Sequence, residues 1–171
     1  MPTYTEKLLY TTGDASGLKA IPTEFGRLGG LICWEHWMPL TRQVLHEERE
    51  DLHLSVWPAV NELHQLASRH YAFEGRCFVL VAGQILRVRD IPPFFGESLD
   101  KAPDDYLLNG GSTLIGPDGH YLIDPVYDRE EVILHTIEDW SSIQEQLLTL
   151  DVTGHYSRPD LFDLSVDRRR L

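Results

Sequence analysis

Residues 77–82, Cys-Phe-Val-Leu-Val-Ala, form an unbroken apolar run. A run of this length without alternation suits a strand buried on both faces. The segment before it, 61–74, has helical spacing. Leu63, Leu66, Ala67, His70 and Tyr71 fall at i, i+3, i+4, i+7 and i+8. Asn61 stands where an N-cap belongs and Gly75 where a helix stops. The same alternation occurs one step earlier. Leu28–Cys33 reads as a buried strand, Pro39–Glu50 as a helix with proline in its first turn, and Leu52–Trp57 as the next strand. Successive strand and helix patterns predict an α/β layered fold.

The flanking regions are less regular. Residues 7–10 and 18–21 have the composition of short strands around a Gly/Ser/Asp loop. Residues 86–110, rich in proline and acid, read as a long surface loop. Strands resume at 111–116 and 120–124 around Pro117-Asp118-Gly119, and again at 131–137. A short amphipathic helix is expected at 139–147, and residues 151–171 as an extended tail.

Charge narrows the function. Asp and Glu total 27 against 15 Lys and Arg, a net charge of −12. Such an excess repels phosphate backbones and anionic lipid, so neither nucleic acid nor a membrane is an expected partner. Arg168, Arg169 and Arg170 are too small a cluster to reverse this. No apolar run approaches the ~20 residues of a spanning helix. The first residues lack a signal-peptide pattern. Two cysteines make no disulfide framework. A reducing, cytoplasmic setting is expected.

Chemistry concentrates at Gly29-Gly30-Leu31-Ile32-Cys33-Trp34-Glu35-His36. A cysteine at the end of a buried strand, shortly before a helix, projects into a cleft where backbone N–H groups can assist it. The competing reading is a small buried hydrophobe. Cys33 and His36 have a metal-like spacing, but there is no second CxxC and no HExxH, so zinc is not expected. Cys77 and His70 read as core residues. The acidic run Glu47, Glu48, Glu50 and Asp51 reads as a solvated helix end, and Glu74 with Arg76 as a structural ion pair. Taken alone, Glu6 is an ordinary surface carboxylate.

These motifs resemble the nitrilase branch of the carbon–nitrogen hydrolase superfamily. Gly29–His36 followed by Met38-Pro39-Leu40 looks like that family's nucleophile motif. The resemblance continues through Arg69–Val79, Gly110-Gly111-Ser112 with Gly116–Gly119, and Asp151–Asp160. It implies half of an α-β-β-α sandwich: one mixed sheet with packed helices and an extended tail. Residues 1–150 would be the C-terminal portion of the hydrolase domain, and 151–171 a tail acting as an assembly element. It implies nitrile hydrolysis to acid and ammonia through a cysteine thioimidate, with no metal or organic cofactor. Cys33 maps to the nucleophile. Glu6, in Pro2-Thr3-Tyr4-Thr5-Glu6, maps to the family's second glutamate. The Trp34 N–H is the natural oxyanion donor, and Glu35, His36 and Trp57 are candidate site-lining residues.

The family's catalytic lysine and general-base glutamate have no counterpart here. Lys7 does not align with that lysine. The expectation is therefore a C-terminal half chain, with its inner sheet face uncovered. Such a chain would form a homo-oligomer or recruit a complementary N-terminal half around a small nitrile substrate. The alternative is a non-catalytic interaction module, or a different thiol chemistry at Cys33.

Overall fold

The computed structural model describes residues 4–96 and 99–169. Its centre is the segment whose periodicity is strongest in the sequence. Strand β1 (Ile21–Thr23) leads into β2 (Gly26–Ile32), helix α1 (Pro39–Glu47), β3 (Leu52–Trp57), α2 (Glu62–Gly75) and β4 (Phe78–Gly83). Then come β5 (Ile85–Arg87), α3 (Pro93–Gly96), β6 (Tyr106–Ile115), β7 (Tyr121–Tyr127) and α4 (Ser141–Leu147). The strands form one mixed sheet. β2, β3 and β4 are parallel neighbours, with β1 antiparallel on the outer edge of β2. β6 runs antiparallel to β4, β5 and β7.

Register assigns each side chain to a face, because successive residues of a strand point opposite ways. Leu31, Ser55 and Val81 align across the three parallel strands, as do Gly29, His53 and Val79. This face is covered by α1 and α2. Its core is Leu31, Leu45, Trp57, Val60, Ala67, Tyr71, Cys77, Val79, Val81 and Ile115. The opposite face carries Gly30, Leu54, Leu80 and Leu114 in one row and Ile32, Val56 and Ala82 in the next. There Ile32 is 64% exposed, Val56 43% and Leu80 44%. The expected half-sandwich, with one sheet covered by helices on one side, is what forms.

Several sequence expectations are corrected. Residues 7–10 are not a strand; a single 3₁₀ turn occupies Tyr4–Leu8, and 18–20 precede the short β1. Residues 86–110 hold β5, α3 and the first half of β6, because a nonlocal partner supplies the hydrogen bonds that their composition did not announce. Residues 131–137 form no strand. They cross the otherwise open sheet face, where Ile133, Leu134 and Ile137 line a cleft with Leu52, Leu80 and Leu114.

The buried stripe of α2 is rotated from the expected one. Gln65, Ala67, Ser68, Tyr71 and Ala72 are buried, while Leu63, Leu66, His70 and Phe73 face outward. The left-handed residue ending α2 is Arg76, not Gly75. Gly75 is needed for close packing: a Cβ there would lie 2.5 Å from the His46 ring. Arg76 makes no pair with Glu74. It donates to the carbonyls of Leu150 and Pro117, each at 3.2 Å. Glu74 instead accepts from Arg42 at 2.7 Å and pairs with His46 at 3.1 Å. The tail is not extended throughout as expected: residues 152–156 and 159–161 are turns, and the segment is tied back by Arg49–Asp151 and Arg168–Glu48.

Candidate active site

Cys33 follows β2 directly and opens the single 3₁₀ turn Cys33–Trp37. Its φ is +54°, in the left-handed region that a residue with a Cβ avoids. Holding such a residue there costs on the order of 1–3 kcal/mol, and the surrounding contacts must supply it. Two are plain. The Glu35 carboxylate accepts the Ile32 N–H at 2.9 Å, and His36 Nδ1 donates to the Cys33 carbonyl at 2.8 Å. α1 then begins at Pro39, and its Arg42 donates to the His36 carbonyl at 3.0 Å.

The thiol is half-buried. Burial pushes its pKa up, and the charges of Glu6 and Glu35 push the same way. The Trp34 N–H, hydrogen-bonded to the sulfur, opposes them. Glu6, in the Tyr4–Leu8 turn, is thus within electrostatic reach of Cys33 across 27 residues of sequence. Trp34 and Trp37 are exposed on the outer side of the turn. Cys77 is buried, its thiol pushed well up by desolvation, and belongs to the core.

Beneath the turn lies a polar network that sequence reading missed. Glu50, His53 and His36 are all buried among core residues. The Glu50 carboxylate meets His53 Nδ1 at 3.0 Å, His53 Nε2 meets His36 Nε2 at 3.1 Å, and the Tyr71 hydroxyl donates to Glu50. Glu50 is therefore not part of a solvated helix end. A Cβ on Gly29 would lie 1.3 Å from the Glu50 carboxylate, so only glycine leaves room for it. Trp57 is also in this layer. Its indole stacks on His36 with centroids 4.7 Å apart, and its N–H reaches Ser55 at 2.7 Å. The available signal was the alternation in Leu52–Trp57, which puts His53, Ser55 and Trp57 on one face beside an apolar core.

Burial and the neighbouring His53 hold the His36 pKa down at about 3, so its imidazole is neutral. Among the described residues, no group of three or more His, Cys, Asp or Glu side chains is arranged to hold a metal. What the geometry offers is a thiol at a strained strand-to-helix turn. Acyl-type chemistry uses such an arrangement.

The carbon-nitrogen hydrolase family model matches residues 1–145. The chain belongs to that family. Its curated relatives include nitrilases. An aliphatic nitrilase of Sinorhizobium fredii is 36% identical over 167 residues, covering 98% of this chain and 54% of the relative. A bifunctional nitrilase/nitrile hydratase of Lupinus angustifolius is 36% identical over 171 residues, covering 97% and 49%. The carbon-nitrogen hydrolase of Helicobacter pylori has the same fold, with a TM-score of 0.67 at 19% identity over 91% of this chain and 54% of that one. Nit3 of Saccharomyces cerevisiae, of the nitrilase superfamily, gives 0.65 at 17% identity over 88% and 51%. This carbon-nitrogen hydrolase chain thus spans about half the length of the relatives it matches.

Proposed function

We propose that the chain provides the nucleophile half of a nitrilase site. The observation that carries this reading is Cys33, left-handed at the end of the parallel strand β2, where it opens the turn that leads into α1. In the proposed reaction Cys33 Sγ attacks the nitrile carbon. The thiol proton passes to a carboxylate base and on to the nitrile nitrogen, giving a thioimidate. Water then adds, ammonia leaves, and a second water releases the acid. The Trp34 N–H stabilises charge developing at the attacked carbon's substituent. Glu6 acts beside the thiol. Burial and two nearby carboxylates keep that thiol protonated at neutral pH, so the chemistry needs a base and a cation. The proposal assigns both to a segment outside residues 1–171, joined to this one or separate.

The open sheet face is where that segment docks. Its aligned apolar rows across β2, β3 and β4 match the need of a two-layer sandwich for a second sheet. A second copy of this chain is the competing occupant, and the outward stripe Leu63, Leu66 and Phe73 on α2 offers another apolar surface for oligomer formation. We assign residues 1–150 to the hydrolase domain and 151–171 to assembly. Among the described residues no helix is long and apolar enough to cross a membrane. Both cysteines are free, and we place the protein in a reducing cytoplasm.

The test is ammonia release from a panel of aliphatic and aromatic nitriles, with the chain alone and with a complementary N-terminal half of a nitrilase added. Turnover abolished by Cys33→Ser supports the reading. Absence of turnover in both arms, with binding of the added half retained, favours the interaction module instead.

A further inference from the structure

Hydrogen bonds run without a gap from a buried carboxylate to the nucleophile turn. Glu50 Oε1 meets His53 Nδ1 at 3.0 Å, His53 Nε2 meets His36 Nε2 at 3.1 Å, and His36 Nδ1 meets the Cys33 carbonyl at 2.8 Å. The last of these fixes the protons in the rest. A carbonyl oxygen only accepts, so His36 carries its proton on Nδ1. Each of the other two bonds needs one proton between two heavy atoms that otherwise present only lone pairs. Three bonds therefore hold three protons. Two neutral imidazoles and an ionised carboxylate hold two. The trio keeps one extra proton and is neutral as a unit, which suits its burial.

The far end matters for chemistry. The Cys33 carbonyl and the Trp34 N–H belong to one peptide group, planar and trans, so they point in opposite directions. Fixing the carbonyl from below fixes the direction of the N–H, the backbone group that draws the Cys33 thiol pKa down. We propose that Glu50, His53 and His36 are positioning residues, a proton-locked relay that aims the Trp34 N–H at the Cys33 sulfur. The relay deepens the nitrilase reading, since its value depends on Cys33 being the nucleophile.

The surroundings hold it in place. Trp57 stacks on His36, the Tyr71 ring lies 3.7 Å from the His53 ring, and the Tyr71 hydroxyl donates to Glu50. The charged or titratable groups facing the relay are Arg42, Tyr71, His46 and Cys77. Those facing the thiol are Glu6 and Glu35.

Two measurements on the full chain test the proposal. With ¹⁵N-labelled histidine, the imidazole spectrum is expected to show His36 neutral with its proton on Nδ1, and His53 protonated on Nε2. A His36 proton on Nε2 alone would overturn the assignment, and this readout needs no variant to fold. The second measurement is the pH profile of Cys33 alkylation by iodoacetamide, mapped by peptide mass, with buried Cys77 as the unfolding control. His36→Phe keeps a ring against Trp57 but frees the carbonyl. It is expected to raise the thiol pKa and slow alkylation at pH 8 about tenfold, the effect of one pKa unit. In Glu50→Gln the amide N–H₂ donates to His53 Nδ1 while its oxygen still accepts from Tyr71, so the proton count is restored. Its profile is expected to follow the wild type. An unshifted His36→Phe profile in a folded protein overturns the relay. A Glu50→Gln profile shifted as far as that of His36→Phe overturns the proton count. Neither readout requires turnover, so absence of nitrile hydrolysis would remove the nitrilase reading and leave this one standing on its own data.

Discussion

Trp57 and His36 are stacked, 25° from coplanar with ring centroids 4.7 Å apart, although 21 residues separate them in sequence. The indole comes from the end of β3 and the imidazole from the turn that follows β2, so the contact binds the nucleophile turn to the neighbouring strand. The indole N–H is also spoken for, bonded to Ser55 and Ser68 at 2.7 and 3.1 Å. Trp57→Ala is expected to cost ~3–5 kcal/mol, the range for deleting a large buried aromatic. Trp57→Phe retains a ring for the stack but loses the donor, and is expected to cost about 1–2 kcal/mol. Urea unfolding of both variants checks this. Equal losses for the two would mean that the stack contributes nothing.

Gly29 is fixed by the carboxylate above it. The strand could otherwise accept any β-former, but the Glu50 carboxylate occupies the space of a side chain there. Gly29→Ala is expected to destabilise by roughly 3 kcal/mol, combining overpacking with displacement of a buried hydrogen-bonded carboxylate. Gly30, on the opposite face of the same strand, has its nearest would-be contact at 3.1 Å, the Leu54 carbonyl. Gly30→Ala should therefore cost less than Gly29→Ala when the two are compared by thermal unfolding.

The parts that were legible in the sequence, and those that were not, divide by the range of the interactions that decide them. Cys77–Ala82, Leu52–Trp57 and the 61–74 helix are stated by local periodicity, and each forms within a residue or two of its expected bounds. Residues 85–87 and 106–109 become strands only because they find each other, across a proline-rich loop that hides both. Ile133, Leu134 and Ile137 have the apolar content of a strand, but they line a cleft against the sheet face instead. At the site, Cys33 was visible because its neighbours form a local motif. Glu50 was not, because its sequence neighbours are charged and only the fold turns it inward. Glu6 was visible through family resemblance alone.

Acid should weaken the protein in two stages. His36 has its pKa lowered from 6.5 to about 3 by burial and by His53. The unfolded chain then binds a proton that the folded chain refuses. Stability from this group is present above pH 6.5 and falls by about 1.4 kcal/mol per pH unit as pH drops toward 3. Glu74 adds a lower window. Burial raises its pKa, but His46 and Arg42 prevail and hold it near 2 against an ordinary 4.5. Its contribution is present above pH 4.5 and lost on descent toward 2. A quarter of the Glu74 side chain is exposed, so solvent screening reduces this below the roughly 3 kcal/mol of the full shift. Urea midpoints at pH 7, 5.5 and 4 check both. The loss between 7 and 5.5 should persist in Glu74→Gln and disappear in His36→Phe. Equal slopes for wild type and His36→Phe between pH 7 and 5 would contradict the burial of a neutral His36.

The open sheet face sets the last expectation. Ile32, Val56 and Leu80 come from three adjacent parallel strands, and register places them on the side away from α1 and α2. Their combined exposure gives a surface for which burial returns ~25 cal/mol per Å² of apolar area. The 131–137 segment covers only the part near Leu80 and Leu114. The uncovered remainder, around Ile32 and Val56, lies at the strand ends beside Cys33. Apolar patches of this kind associate. The wild-type chain is expected to form dimers or larger species at micromolar concentration, read by sedimentation velocity. Val56→Lys with Ile32→Lys puts two like charges into the contact and should shift the population to monomer. Far-UV circular dichroism should be unchanged, because both side chains already meet water in the isolated chain. An added N-terminal half should compete with self-association in the wild type and fail to bind the double variant. A wild-type chain that sediments as a single stable monomer across this range would rule out the exposed face as an association surface.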